Sequence, residues 1–196
     1  DSSVFENPTV FDLWNFRGKQ SLIDEGKIRL SDLEENDINT SLSTVGLSNT
    51  ERQWIQIQKA KNNDDTVYFE RNGLKREMDS WTYPLHFVDF ETTMAAIPFG
   101  ANRSPYEGIA FQFSHHTVDE EGNVAHAGEF INVEPGHFPN YDFVRALKDE
   151  LSNDNGSIFR YSNHENTFLN LILEQLTVDA SPPEDKDDLI CFIKSI

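Results

Sequence analysis

The run Leu85-His86-Phe87-Val88-Asp89-Phe90 constrains this chain more than any other segment. Alternate residues on a strand share a face, and here both faces carry large apolar groups, as expected of a strand inside a sheet rather than at its edge. Pro84 disfavours helix in the residue before it and marks the entrance to this strand. Ile109 to Val118 is expected as a second strand, Asp119-Glu120-Glu121-Gly122-Asn123 has turn chemistry, and Val124 to Val133 is a third strand, giving an antiparallel hairpin or meander. Residues 140–152 have helical spacing through Phe143, Val144, Leu147 and Leu151. Ser157 to Tyr161 is then a short buried strand, and residues 164–176 a helix with Phe168, Leu169, Ile172, Leu173 and Leu176 on one face. The order β-β-β-α-β-α belongs to the α/β class.

The N-terminal part differs. Val10, Leu13, Trp14 and Phe16 recur at helical spacing, Leu22 and Ile23 lie on a second short helix ending near Gly26, and Ser31-Asp32-Leu33-Glu34 suggests another start. Residues 36–49 are polar and expected as a loop. Ser48-Asn49-Thr50-Glu51 forms a capping sequence ahead of Trp54, Ile55 and Ile57, and Gly73 to Ser80 is a brief amphipathic helix. A helical module over residues 1–80 followed by an α/β domain over 81–196 is the expected organisation. Ser181 to Asp188 is a polar loop, and Cys191, in the apolar run Leu189-Ile190-Cys191-Phe192-Ile193, is assigned to the core. The chain starts at Asp1 and stops in that apolar-rich stretch without a helix stop signal, as a piece cut from a longer protein would.

The chain's 196 residues are enough to bury roughly 70% of the unfolded surface without disulfides or structural metals. One cysteine makes no intramolecular disulfide, no stretch approaches a membrane span, and no signal sequence is present, so the expected location is the cytoplasm. With 34 acidic against 16 basic residues the net charge is −18. Residues up to 83 hold 10 basic and 15 acidic side chains and the rest 6 and 19, so the deficit of positive charge is concentrated C-terminally. That excludes a simple basic sleeve for nucleic acid, whose affinity draws on Lys and Arg. Walker-type and dinucleotide glycine loops are absent, as is any nucleophile elbow.

The chemistry-bearing segment is Val88-Asp89-Phe90-Glu91-Thr92-Thr93. Asp89 and Glu91 share one strand face while Phe90 faces the opposite layer. Two carboxylates on a buried-side face repel, and a hard divalent cation such as Mg²⁺ or Mn²⁺ is the usual neutralising partner. Two such ions held by carboxylates activate a water and stabilise the leaving oxygen of a phosphodiester. The same Asp-x-Glu is compatible with a strand end fraying into the loop from Met94 to Asn102. His115 and His116 face opposite ways on a strand and are assigned as core or edge residues.

Phe87-Val88-Asp89-Phe90-Glu91-Thr92 resembles the first motif of the ribonuclease-H-like DEDD 3′–5′ exonucleases. The longer stretch from Tyr83 to Thr92, with Ile97-Pro98 and Pro105 to Ser114, resembles an uncharacterised bacterial family of unknown function in which such a domain follows a RecB-like nuclease domain. The similarity runs over most of residues 8 to 196, and residues 1–80 resemble the connector between the two nuclease domains. The resemblance implies a ribonuclease-H-like mixed sheet with flanking helices, truncated C-terminally. It further implies two-metal phosphodiester hydrolysis at a nucleic-acid end, with Asp89, Glu91 and Glu165 as catalytic metal ligands for Mg²⁺ or Mn²⁺. Phe90, Thr92, Tyr106, Gln112, Asn163 and His164 are the implied substrate contacts, and a RecB-like domain of the same full-length chain is the implied neighbour. Glu165 stands where these enzymes generally carry aspartate, and Ser162-x-x-Glu165 is also a capping box. No third motif precedes Ile196. The alternative function is a catalytically degenerate module that scaffolds the RecB-like neighbour or a partner protein.

Overall fold

The computed structural model describes residues 2–43, 46–101 and 103–196, which divide into two compact units, Asp1–Glu77 and Met78–Ile196. Thr44 and Val45, in the loop expected over 36–49, and Asn102, in the loop after the first strand, lie outside the described residues.

The first unit contains α1 (Lys19–Asp24), α2 (Glu35–Ile38) and α3 (Asn49–Lys61), with short 3-10 helices at Ser2–Glu6 and Leu30–Asp32. Val10, Leu13, Leu22, Leu30, Leu33, Ile38 and Ile57 form its core. The capping sequence at α3 works in both directions: Ser48 Oγ accepts from Glu51 N at 3.0 Å, and Glu51 Oε2 accepts from Ser48 N at 2.8 Å. The helix expected over Val10–Phe16 does not form. Asp12 Oδ2 accepts from Thr9 N and Thr9 Oγ1, at 2.7 and 3.0 Å, folding the chain into a local turn. Val10 N and Leu30 N meanwhile donate to Ile28 O and Pro8 O across an extended bridge. Part of the expected 36–49 loop is instead α2, whose Asp37 accepts from Glu34 N at 2.7 Å. A further helix, α4 (Arg71–Met78), buries no residue.

The second unit is a mixed α/β domain. Strands β1 (Leu85–Thr93), β2 (Ile109–Val118) and β3 (Val124–Ile131) form an antiparallel meander. Helix α5 (Asn140–Leu151) crosses to β4 (Ile158–Phe159), which pairs parallel to β1, and α6 (His164–Val178) and α7 (Lys186–Ser195) follow. The sheet order is β3-β2-β1-β4. Val88, Phe90, Ala110 and Phe113 of the sheet bury against Phe143, Val144, Leu147, Phe168, Ile172, Leu176, Leu189 and Phe192 of the three helices. Each fully buried large side chain contributes about 1.5–3 kcal/mol. Phe143 stands edge-on to both Phe90 and Phe113, at 4.8 and 5.4 Å between ring centres. Gly156 lets β4 lie beside the entrance to β1, because a Cβ there would stand 1.9 Å from Pro84 O.

Three expectations change. Strand β1 is not covered on both faces: Val88 and Phe90 are buried, but Phe87 is 43% exposed and Asp89 and Glu91 are exposed, since α5, α6 and α7 join one core with the Val88 side. The strand at 158–159 is short and half open, with Ile158 exposed, because it is the edge of the sheet. The expected loop at 181–188 runs into α7, where Leu189, Phe192 and Ile193 fall at i, i+3 and i+4 and turn inward. Cys191 is therefore on the outer face of that helix and exposed, not in the core.

Candidate functional site on the open face of the sheet

Strand β1 carries Asp89 and Glu91 onto the face opposite the helices. The register sets Ser114 across from Asp89 and Gln112 across from Glu91, so half-buried Gln112 shares the open face with Glu91. Beyond Glu91 the pairing slips: Glu91 pairs Gln112 but Thr92 pairs Ala110, leaving Phe111 as an extra residue. Such a bulge re-aims side chains, and Phe111 lines a cavity of about 530 Å³ with Thr93, Phe99, Ile109, Val133 and Pro139. At the other end of the carboxylate pair, Asp89 borders a groove of about 490 Å³ with Phe87, His116, Phe159, Arg160 and Tyr161. Two carboxylates on an open face thus sit between an apolar cavity and an aromatic groove, a setting that sequence periodicity did not reveal.

Glu165 lies elsewhere. It is 95% buried on the first turn of α6, and it lines a separate cavity of about 160 Å³ together with Val88, Phe90 and Leu169, on the helix-covered side of β1. One of its oxygens, Oε2, has no hydrogen-bond partner among the described residues. The capping box does not form either: the cap of α6 is Asn163, and Ser162 Oγ accepts from His164 N at 3.1 Å. Among the described residues no group of three or more His, Cys, Asp or Glu is placed to hold a metal ion. The structure brings Asp89 and Glu91 together and leaves Glu165 on the other side of the strand.

The expected substrate contacts scatter similarly. Phe90 is 6% exposed and edge-on to Phe143, so it is a core residue turned away from the open face. Thr92 Oγ1 and His164 Nε2 are 2.9 Å apart, which ties the end of β1 to the start of α6, and the His164 ring also packs on Phe168. Asn163 is exposed, and its carbonyl accepts from Thr167 N and Thr167 Oγ1. Tyr106 is exposed at φ +60°, a left-handed conformation costly for a bulky residue, and its N–H donates to Ala95 O at 2.8 Å.

The adjacent histidines separate as a strand requires. His115 is buried and His116 exposed. His115 joins a polar chain whose two imidazoles are buried and whose carboxylate ends reach solvent: Asp154 Oδ1 to His86 Nε2 at 2.9 Å, His86 Nδ1 to His115 Nε2 at 2.8 Å, and His115 Nδ1 to Glu150 Oε2 at 3.0 Å. Asp154 is held below the usual carboxylate range, first by the Gly156 N–H and then by the His86 side chain. On the far side, burial and the Asp179 carboxylate push the Tyr141 phenol up to about 12.

The second unit is thus a mixed α/β domain with one helix-covered face and one open, carboxylate-bearing face. Residues 86–196 match the model of a domain-of-unknown-function family, DUF2779, and the chain belongs to that family. No curated protein and no solved structure matches the chain. No helix among the described residues is long and apolar enough to cross a membrane.

Proposed function

We propose that the second unit is a ribonuclease-H-like domain that hydrolyses phosphodiester bonds at a nucleic-acid end, with Asp89 and Glu91 as ligands of a divalent cation, Mg²⁺ or Mn²⁺. The observation that carries this reading is the pair itself: two carboxylates on the open face of an interior strand, flanked by a groove and a cavity. The sheet supports it, since an antiparallel β3-β2-β1 meander followed by a helix and a parallel β4 is the arrangement a ribonuclease-H-like domain needs.

The donor set fits one hydrated ion. Side chains two residues apart on a strand are about 7 Å apart along it, where water-screened repulsion is about 0.6 kcal/mol. The exposed pair therefore persists without an ion, and at that spacing a Mg²⁺ that keeps several waters would be held by one carboxylate directly and by the other through its hydration shell. Such an ion supplies positive charge to a phosphoryl oxygen and acidifies a bound water. Asp89 and Glu91 would hold it, while the Gln112 amide beside Glu91 and the Ser114 hydroxyl beside Asp89 offer hydrogen bonds to a phosphate or sugar. The low positive charge leaves much of strand binding to the RecB-like neighbour that the family resemblance suggests in the full-length protein.

The burial of Glu165 favours a second reading, a degenerate module that scaffolds that neighbour. A melting experiment separates the two. Mn²⁺ at ten times its dissociation constant stabilises a one-site protein by about 1.4 kcal/mol, worth about 5 °C in a unit of this size. We expect that rise in the wild type and its loss in Asp89→Asn. A wild type whose melting temperature is unmoved by millimolar Mn²⁺ or Mg²⁺ refutes the catalytic reading and leaves the scaffold.

A further inference from the structure

We propose that the groove beside Asp89 is a nucleotide subsite, with Phe87 and Phe159 as the platform for one unpaired base and Arg160 as the partner of its phosphate. This rests on the nuclease-type reading of the same face and names how that face grips its substrate.

Phe87 of β1 and Phe159 of β4 stack with ring centres 5.2 Å apart and planes 15° from parallel, and Trp81 supports Phe159 edge-on at 4.9 Å. Phe87 keeps 43% of its surface exposed and shares the lining of the groove with Phe159 and Tyr161, and clustered exposed aromatics mark a binding surface where a lone one does not. Tyr161, two residues beyond Phe159, is fully exposed at the groove's rim. Phe159 is thus braced by both Trp81 and Phe87, while Phe87 and Tyr161 stay open to solvent.

The charge of the groove points the same way. Arg103 is paired with Glu107, and Arg145 with Asp142 and Asp185. The remaining arginine of this unit, Arg160, forms no ion pair among the described residues and donates only to the neutral Asn166 Oδ1 at 2.8 Å. A guanidinium left without a carboxylate, in a domain this acidic, is available to an anion. An aromatic platform with one cation beside it matches a single nucleotide whose Watson–Crick edge is free, because a base must leave its stack to lie on an aromatic ring. A duplex, held by rows of phosphates, would find few cations here.

Binding is tested without chemistry, in EDTA, on the whole 196-residue chain. The probe is a 5′-fluorescein-labelled 12-nucleotide oligothymidylate, and its blunt duplex with oligoadenylate is the comparison. Stacking on one ring is worth about tenfold in affinity, so Phe87→Ala should weaken single-strand binding by about that factor. Arg160→Gln should lower the slope of log affinity against log salt by about 0.7, the value for one phosphate on a single strand. Tyr161→Ala, at a fully exposed position where folding is not at stake, should also weaken binding. Duplex preferred over single strand, a wild-type salt slope of several phosphates, or unchanged affinity in all three variants overturns the subsite. The outcome is independent of the metal: oligothymidylate binding that survives in Asp89→Asn, with no Mn²⁺ stabilisation in the wild type, keeps the subsite and removes the nuclease reading.

Discussion

Asn140 gives the sharpest test of how the domain is held together. It is fully buried at the first residue of α5. Its Oδ1 accepts from Ala110 N at 2.9 Å, and its Nδ2 donates to Gly108 O at 3.0 Å and Gln175 Oε1 at 2.6 Å. Gln175 Nε2 donates to the same Gly108 carbonyl, at 2.9 Å. One side chain therefore ties together the starts of β2 and α5 and the later turns of α6. Asn140→Asp keeps the shape and the acceptor for Ala110 but sets a second oxygen against two acceptors. As the neutral acid it satisfies one of them, at a cost of about 1 kcal/mol for the lost bond. As the carboxylate it is buried and repelled, so its folded-state pKa rises above the unfolded value of about 3.9. The sign follows from linkage: the unfolded chain releases the proton first, and stability falls by about 1.4 kcal/mol per pH unit between the two pKa values. Burial and repulsion alone worth about two units, or about 2.7 kcal/mol, are offset by the roughly 1 kcal/mol that the helix N-terminus returns to an anion, so a net rise of a little over one unit removes about 1.7 kcal/mol by neutral pH. Urea denaturation of wild type and variant from pH 4 to 7.5 should show a gap that widens from about 1 to about 3 kcal/mol. A gap of constant size across that range refutes the clamp, because a merely steric defect has no proton linkage.

Two other perturbations follow from the same kind of accounting. His86→Leu breaks the chain that runs from Asp154 to Glu150 and should cost about 1.5–3 kcal/mol in urea denaturation. Adding His115→Leu should cost much less than it does alone, and additive losses would show that the imidazoles act separately. Asp185 is held below the usual carboxylate range chiefly by the two hydrogen bonds from Arg145, so its stabilisation is complete above about pH 4 and is lost as pH falls through the folded value. Melting temperatures from pH 2.5 to 6 should fall less steeply for Asp185→Asn than for wild type, and equal acid slopes would refute the pairing.

The parts of the fold that were legible in the sequence are those whose signal is local. Helices α3, α5 and α6 follow from their apolar spacing, α3 also from its cap, and the meander from two runs around a turn with Gly122 at φ +84°. The segment Val10–Phe16 misled because its spacing is helical while its backbone partners lie near residue 28, and long-range pairing outweighs a weak propensity. The openness of one face of β1 was hidden because Phe87 is as apolar as Val88, and alternation cannot tell a core ring from a platform ring.

The placement of Glu165 is legible in the spacing of its own helix, which the motif resemblance does not take into account. Phe168, Leu169, Ile172 and Leu176, the buried stripe of α6, stand three, four, seven and eleven residues after it. That spacing sets Glu165 in phase with the stripe, so a helix that packs its apolar face on Val88 and Phe90 must carry this carboxylate to their side of β1. Asp89 and Glu91 alternate with Val88 and Phe90 and so face away from it. The period of 3.6 on α6 and the period of 2 on β1 together decide the matter: the strand itself stands between the third carboxylate and the other two. Arg160, at the edge where β4 is only two residues long, lines both the cavity of Glu165 and the groove of Asp89. Val88 and Phe159 line both as well, so the two carboxylate environments adjoin where β4 meets β1, beside the residue that we assign to the phosphate.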